Sequence, residues 1–302
     1  MANGADSVKS IIFALSANGA IAIAKFAAAL AIGSSAMLAE AIHSAADTGN
    51  QGLLLIGLRR ARRPPSADYP LGYGKAIYFW SFLVALLLFS LGGVFSIYEG
   101  WHKLADPQPI QRPWLAVGVL VFAILAESVS MWGCLREVNK VRHGRSLWRW
   151  FRDSRQSELL VVLAEDTAAL LGLVFALSAI LLTILTGDLR YDAWGTLVIG
   201  ALLIAIALIV GIEIKALLIG QGVEPEVDQA MRDFLRARPE VAEVLNLLTM
   251  QLGEQVMVAV KARMQDPGSA SRLIDAINKV EVEFRAAFPA VLWLFFEPDH
   301  IK

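Results

Sequence analysis

The sequence predicts an α-helical membrane protein with six transmembrane helices, followed by a small α+β domain. Of the 302 residues, 56% are hydrophobic and only 18% are charged, whereas about a quarter of the residues of a soluble domain are charged. The apolar residues fall into six long blocks, and the periodicity changes after residue 221. We therefore expect two domains, a transmembrane domain over 1–221 and a second domain over 222–302.

Six apolar segments are long enough to cross a bilayer, whose hydrocarbon core of about 30 Å needs about 20 residues of helix. They are residues 10–32, 35–58, 78–100, 114–135, 157–185 and 193–219. The tight connection GSS between the first two predicts a helical hairpin. The opening MANGADSVKS leads into no small-residue cleavage pattern, so no cleavable signal is expected.

The basic residues predict which side of the membrane each connection faces. RRARR stands at 59–63, and a run of Arg and Lys lies between 136 and 155, whereas the other connections hold few bases. Positive residues mark the cytoplasmic side. We therefore expect both termini in the cytoplasm and the protein in the inner or plasma membrane of the cell. These loops also allow nucleic-acid or anionic-lipid binding, but topology explains them with fewer assumptions, so no nucleic-acid partner is expected.

The C-terminal part has the pattern of a soluble α+β domain. PEVDQAMRDFLRARPEV is amphipathic at helical spacing, and two strand-like runs follow it. A second helical stretch and the apolar AVLWLFFEP come next. Helix, two strands, helix and strand indicate a split βαβ arrangement of the ferredoxin-like kind.

Ionisable residues inside the second apolar segment are the first functional signal. The run AEAIHSAADTGNQ at 39–51 places Glu40, His43 and Asp47 at i, i+3 and i+7, on one face of a helix. Charge at membrane depth is costly and usually functional.

The fifth segment carries a matching acidic pair in ELLVVLAEDTAALLG. At 1.5 Å per residue, Asp47 lies about 18 Å from the outer end of its helix and Asp166 about 13 Å from the inner end of its own. The two depths sum to about the thickness of the hydrocarbon core, so both carboxylates are expected at one level. Lys25 in the first segment falls near that level as well.

Residue types alone leave three roles open for this cluster. An imidazole with carboxylates suits Zn²⁺ and also accepts Mn²⁺, Fe²⁺ or Co²⁺. The same groups are suited to relaying protons without metal, or to locking helices together through Lys25. One cysteine, Cys134, excludes an internal disulfide and a cysteine-rich metal site. No nucleophile–base arrangement is visible, so neither an enzyme nor a prosthetic group is expected.

The motifs in their order resemble the cation diffusion facilitator family over nearly the whole chain. They are GSSAMLAEA, AEAIHSAAD, LGYGK at 71–75 and YDAWGTLVIG, followed by the α+β tail. The resemblance implies a homodimer in the lipid bilayer that exports divalent metal, zinc above all, in exchange for protons by alternating access. The alternative is a non-transporting membrane regulator or scaffold with a degenerate site.

The resemblance also implies a ligand set. The family's pair on the second helix matches His43 and Asp47, and the second member of its pair on the fifth helix matches Asp166. The first member falls on Val162, which cannot coordinate, but Glu165 shares that helix face and forms the adjacent Glu-Asp pair of a subgroup related to mitochondrial zinc exporters. The expected metal ligands are His43, Asp47, Asp166, Glu165 and Glu40.

Other residues are expected to support this site. Asn50, one turn after Asp47, is expected to hydrogen-bond a ligand, and Lys25 is expected near it. Glu127 in ILAESVSMW is expected to relay protons or to pair with Lys25 or Ser128. Two further metal sites of the family are expected to be absent, because Tyr73 and Phe295 occupy positions where histidines stand. A tail without metal is then expected to be held by apolar packing.

Overall fold

The computed structural model describes residues 35–107, 109, 112–266 and 268–300, with isolated helical positions between 12 and 27. For residues 35–44 it describes the backbone. Lys25 and most of the first predicted segment therefore lie outside the described residues, as do the side chains of Glu40 and His43.

Long apolar helices make up the first part of the described chain. In order they are α1 Ser35–Ala61, α2 Ala76–Ala105, α3 Pro113–Val141, the short α4 Leu147–Asp153, α5 Ser157–Thr186 and α6 Arg190–Ile219. By length and hydropathy α2, α3, α5 and α6 are able to cross a membrane, which confirms the third to sixth predicted segments. The number six stays a prediction, because α1 is less apolar than these four and the first segment is largely undescribed.

Helix α4 was not predicted, because its basic residues were interpreted as part of a loop. The Ser146 hydroxyl caps it by accepting the Arg149 backbone N–H at 3.3 Å, which satisfies a donor that the first turn leaves open. Trp150 and Phe151 of α4 are buried. The connection between α3 and α5 is thus packed against the bundle.

Helices α2 and α6 approach each other through glycine. A Cβ added at Gly200 would lie 2.8 Å from the Ile97 backbone nitrogen, and one at Gly93 would lie 2.5 Å from Ile204 Cγ1. Small residues of this kind let the backbones of membrane helices come close. The segment Leu88–Val94, which contains Gly93, is π-helical.

The main apolar core fills the half of the bundle nearest the C-terminal elements. It joins the last turns of α1, α3 and α6 to the first turns of α2 and α5, with α4 packed below. Tyr78, Trp150 and Leu160 are fully buried within it. The polar pair of α5 begins one residue after Ala164, a member of this core.

The C-terminal elements follow the predicted order of helix, two strands, helix and strand. They are α7 Pro225–Arg236, β1 Val241–Leu252, β2 Gln255–Met264, α8 Ala270–Ala287 and β3 Val291–Pro298. The sheet order is β1-β2-β3, with β1 antiparallel and β3 parallel to β2. The core of this part consists of apolar side chains such as Met231, Val258 and Phe284.

The hairpin turn between β1 and β2 rests against the connection between α1 and α2. A Cβ at Gly74 would lie 2.0 Å from the carbonyl oxygen of Leu252, so the two backbones touch. Gly253, at φ +68°, donates its N–H to Tyr78 Oη at 3.0 Å. Arg62 pairs with Glu254 at 3.3 Å.

Arginines of the second basic loop hold the segment that links α6 to α7. Arg155 Nε donates to the Gly222 carbonyl at 2.7 Å, and Arg145 pairs with Glu224 at 2.8 Å. Arg152 pairs with Glu213 on α6 at 3.1 Å. These arginines, whose abundance predicted the cytoplasmic side of the membrane, therefore also form ion pairs and hydrogen bonds within the protein.

Candidate metal centre

Glu165 on α5 is held by an amide from α1. Asn50 Nδ2 donates to Glu165 Oε1 at 2.9 Å, and Asn50 is buried. Asn50 lies 11 residues before the end of α1, and Glu165 lies eight residues after the start of α5. The contact places the second and fifth predicted segments side by side, as a shared site requires.

Asp166 on α5 is held by a hydroxyl from α3. Ser130 Oγ donates to both carboxylate oxygens, at 3.4 Å to Oδ1 and 3.3 Å to Oδ2, and Asp166 is only 4% exposed. The sequence interpretation missed Ser130 and considered Ser128 instead. Ser128 donates to the Ile124 carbonyl of its own helix at 2.7 Å. The available signal was that Ser130 lies three residues after Glu127 and so shares its helix face.

Further carboxylates surround this pair. The half-buried Asp47 lies one turn before Asn50, and its charge acts on both Glu165 and Asp166. The charge of Glu127 on α3 acts on the same two residues. Like charges sharing a low-dielectric site repel one another unless cations or protons neutralise them. The arrangement is therefore suited to accepting a cation.

The remaining expected ligands of α1 lie outside the described side chains. The α1 backbone is helical throughout Ser35–Ala61, so positions 40, 43 and 47 share one face. Among the residues whose side chains are described, no three His, Cys, Asp or Glu lie close enough together to hold a metal ion. This finding covers the described carboxylates alone, because the side chains of Glu40 and His43 lie outside the described residues.

Three positions at which the resemblance predicted that a metal ligand of the family is missing are Val162, Tyr73 and Phe295. Val162 packs against the apolar core of the bundle. The Tyr73 ring lies 4.5 Å from that of Tyr69, and its hydroxyl bonds with Ser66. Phe295 is 53% exposed, so it adds little to the apolar core of the tail.

Glu158 is a buried carboxylate that the sequence interpretation did not single out. It lies in the first turn of α5 and is 8% exposed. A negative charge there is favoured by the helix dipole. It is seven residues before Glu165, about 10 Å along the same helix face. Its place in the first turn of the helix accounts for a carboxylate there without a role in the metal site.

Comparison with known proteins identifies the family. Residues 11–219 match the model of the cation efflux transmembrane domain. The human "proton-coupled zinc antiporter SLC30A9, mitochondrial" is 33% identical over 248 residues, 81% of this chain and 44% of that protein. Metal tolerance protein C4 of Arabidopsis thaliana is 30% identical over 236 residues, 78% of this chain and 52% of that protein.

A bacterial relative matches over a greater share of its length. The zinc transporter ZitB of Escherichia coli is 21% identical over 296 residues, 98% of this chain and 90% of that protein. The chain spans about half the length of the human and plant relatives. The match of residues 11–219, together with relatives at 30% identity or more, shows that the chain belongs to the cation efflux family, the cation diffusion facilitators that its motifs resemble.

Proposed function

We propose that the chain exports a divalent cation, zinc above all, from the cytoplasm in exchange for protons by alternating access. The observation that carries this is the adjacent pair of the half-buried Glu165 and the buried Asp166, which accept hydrogen bonds from neutral donors on two different helices beside the charge of Asp47. Neutral donors orient a carboxylate without cancelling its charge. The names of the human, plant and bacterial relatives, which refer to zinc or metal, support the same cargo.

The cation is held between α1 and α5. His43 and Asp47 supply ligands from α1, Glu165 and Asp166 supply them from α5, and Glu40 is a further candidate. One imidazole and several carboxylates fit tetrahedral Zn²⁺ and also accept Mn²⁺, Fe²⁺ or Co²⁺. Asn50 orients Glu165, and Lys25 and Glu127 serve as groups that exchange protons with the site.

Protons and metal compete for the same lone pairs, which couples the two fluxes. Metal binding requires a neutral imidazole and ionised carboxylates, so protons arriving from the outer side weaken binding and release the ion. Tilting of helix pairs then exposes the site to one side of the membrane at a time.

The basic loops and residues 222–302 face the cytoplasm in this proposal, with both termini on the same side. The protein lies in the inner or plasma membrane of the cell. The C-terminal part acts as a ferredoxin-like dimerisation domain of a homodimer. Its order of helix, two strands, helix and strand supports that fold.

Zinc flux in proteoliposomes tests the proposal. In vesicles with an acidic lumen and the cytoplasmic face outward, external zinc should accumulate inside, and an ionophore that collapses the pH gradient should stop it. Flux that is indifferent to the gradient would reject proton antiport. Flux no greater than in protein-free liposomes would favour the non-transporting regulator instead.

A further inference from the structure

Hydroxyl groups in the membrane helices of this protein usually bond within their own helix. Ser128, Thr167 and Ser178 each donate to the carbonyl four residues earlier, at 2.7 to 2.8 Å. The same holds for Ser90, Thr183 and Thr196. This is the local solution for a hydroxyl that has no water to bind, because the carbonyl is always within reach.

Ser130 departs from this pattern. Its hydroxyl oxygen lies across the interface of α3 and α5, 3.3 and 3.4 Å from the two carboxylate oxygens of Asp166, and donates to both. Ser81 also donates to a neighbouring helix, but its partner is another hydroxyl, that of Ser157. Ser130 thus gives up the local acceptor in order to bond a buried charge.

The bond restricts how the Asp166 carboxylate turns. A donor shared by both oxygens holds the carboxylate plane towards α3 and uses one lone pair of each oxygen, leaving the others to accept a ligand. Glu165 is held separately by Asn50 on α1. Adjacent helical residues diverge by about 100°, so two carboxylates serving one ion need such separate orientation.

We propose that Ser130 is a positioning residue for the transported cation: it holds the Asp166 carboxylate in the orientation in which that carboxylate accepts the ion. This rests on the proposed function, in which Asp166 is a ligand. Hydrogen-bond partners of metal ligands typically change metal affinity by about 10- to 100-fold when they are removed. The effect of Ser130 should therefore appear in affinity before it appears in the maximal rate.

The test compares zinc uptake by proteoliposomes that contain Ser130→Ala, Ser130→Thr or Ser128→Ala. Ser130→Ala should raise KM for zinc by roughly tenfold with a smaller change in maximal rate. Ser130→Thr keeps the hydroxyl and should restore a KM close to wild type. Ser128→Ala is the matched control, because it removes a hydroxyl two residues away that bonds within its own helix, and its KM should be unchanged.

Binding of zinc to the detergent-purified variants, measured by calorimetry, should show the same rise in Kd for Ser130→Ala. Asp166→Ala is the reference. If Asp166→Ala abolishes uptake while Ser130→Ala keeps the wild-type KM and Kd, the positioning role is wrong and the proposed site stands. If Ser130→Thr is as impaired as Ser130→Ala, the hydroxyl is not the responsible group. If Asp166→Ala transports normally, the proposed site itself fails.

Discussion

The acidic pair Glu165 and Asp166 inside α5 and the acids Glu240 and Asp299 of the C-terminal part are stabilised in different ways. In the C-terminal part, Asp299 pairs with Lys261 and Glu240 pairs with Lys279, both at 2.6 Å. In the membrane part, Glu165 accepts from an amide and Asp166 from a hydroxyl. Acids at the ends of the membrane helices also have charged partners, as Glu213 has in Arg152, but Glu165 and Asp166 are bonded by neutral donors.

The difference shows what each region is built to do. A lysine neutralises an acid permanently and leaves nothing for a mobile ion. A neutral donor fixes the direction of a carboxylate while its charge stays available. Burial of a charge in the membrane is costly, so Glu165 and Asp166 are retained there for a purpose other than stability. In the proposed transport cycle, the cation and the protons that replace it neutralise these two carboxylates.

The largest effect is expected at Asp166. Asp166→Asn keeps an acceptor for Ser130 but loses the charge, so zinc uptake by proteoliposomes should fall to background. The control from the other region is Asp299→Asn, which removes the charge that pairs with Lys261. That variant should transport at the wild-type rate. An equal fall in zinc uptake in both variants would mean that the difference between the two groups of carboxylates is unrelated to transport.

The next effect is expected at Glu165. Glu165→Ala should raise KM for zinc by on the order of tenfold or more, because loss of a ligand costs at least as much as loss of its hydrogen-bond partner. Val162→Ala should change little, and Val162→His should lower KM because imidazole is a preferred zinc ligand. These values come from the concentration dependence of uptake. A wild-type KM in Glu165→Ala would leave His43, Asp47 and Asp166 as the ligands.

The parts that the sequence predicted are those with a local signal. Hydropathy over about 20 residues is enough to locate a membrane helix, and α2, α3, α5 and α6 followed it. The acidic pair Glu165 and Asp166 was visible because charge is rare in such a segment. The order of the C-terminal elements followed from the change in periodicity.

The parts that the sequence did not predict depend on how distant segments meet. The sequence interpretation considered Ser128, the next residue after Glu127, and missed Ser130, because the rotation of α3 against α5 decides which hydroxyl reaches Asp166. The contact of Gly74 with Leu252 likewise joins residues 178 positions apart, and no sequence pattern in either segment predicts it. Helical periodicity in the sequence shows which residues share a face of a helix, but it does not show which other helix packs against that face.

A moderate effect is expected where the two regions touch. Gly74→Ala would place a Cβ 2.0 Å from the Leu252 carbonyl oxygen, so the hairpin turn must shift. Overpacking of this kind costs about 1–3 kcal/mol, and the melting temperature of the purified protein should fall accordingly. Gly133→Ala is the matched control, because nothing lies within 4 Å of its added Cβ. If both variants melt like the wild type, the turn is not seated on Gly74 in solution.

The smallest effect is expected at a surface pair of the C-terminal part, tested in the fragment 222–302 with a chelator present throughout. The apolar core of this part is built from its own residues, so the fragment should melt cooperatively without metal. The hydrogen bond from Lys279 lowers the pKa of Glu240, and the same bond raises the pKa of Lys279. Glu240→Gln should therefore lower the melting temperature slightly near neutral pH.

The pH dependence of that difference follows from the direction of each shift. A lowered pKa contributes stability above the unfolded value of about 4.3 and loses it as the pH falls through the folded value. The raised pKa of Lys279 contributes fully below about 10.4 and is lost only above that. The gap between wild type and Glu240→Gln should thus stay constant between about pH 5 and pH 9, shrink as the pH falls below the unfolded value of about 4.3, and close once the pH is below the folded pKa of Glu240. A gap that does not shrink as the pH falls below about 4.3 would show that the substitution acts through packing rather than through the charge. A melting temperature that depends on the chelator would show that the C-terminal part holds metal ligands.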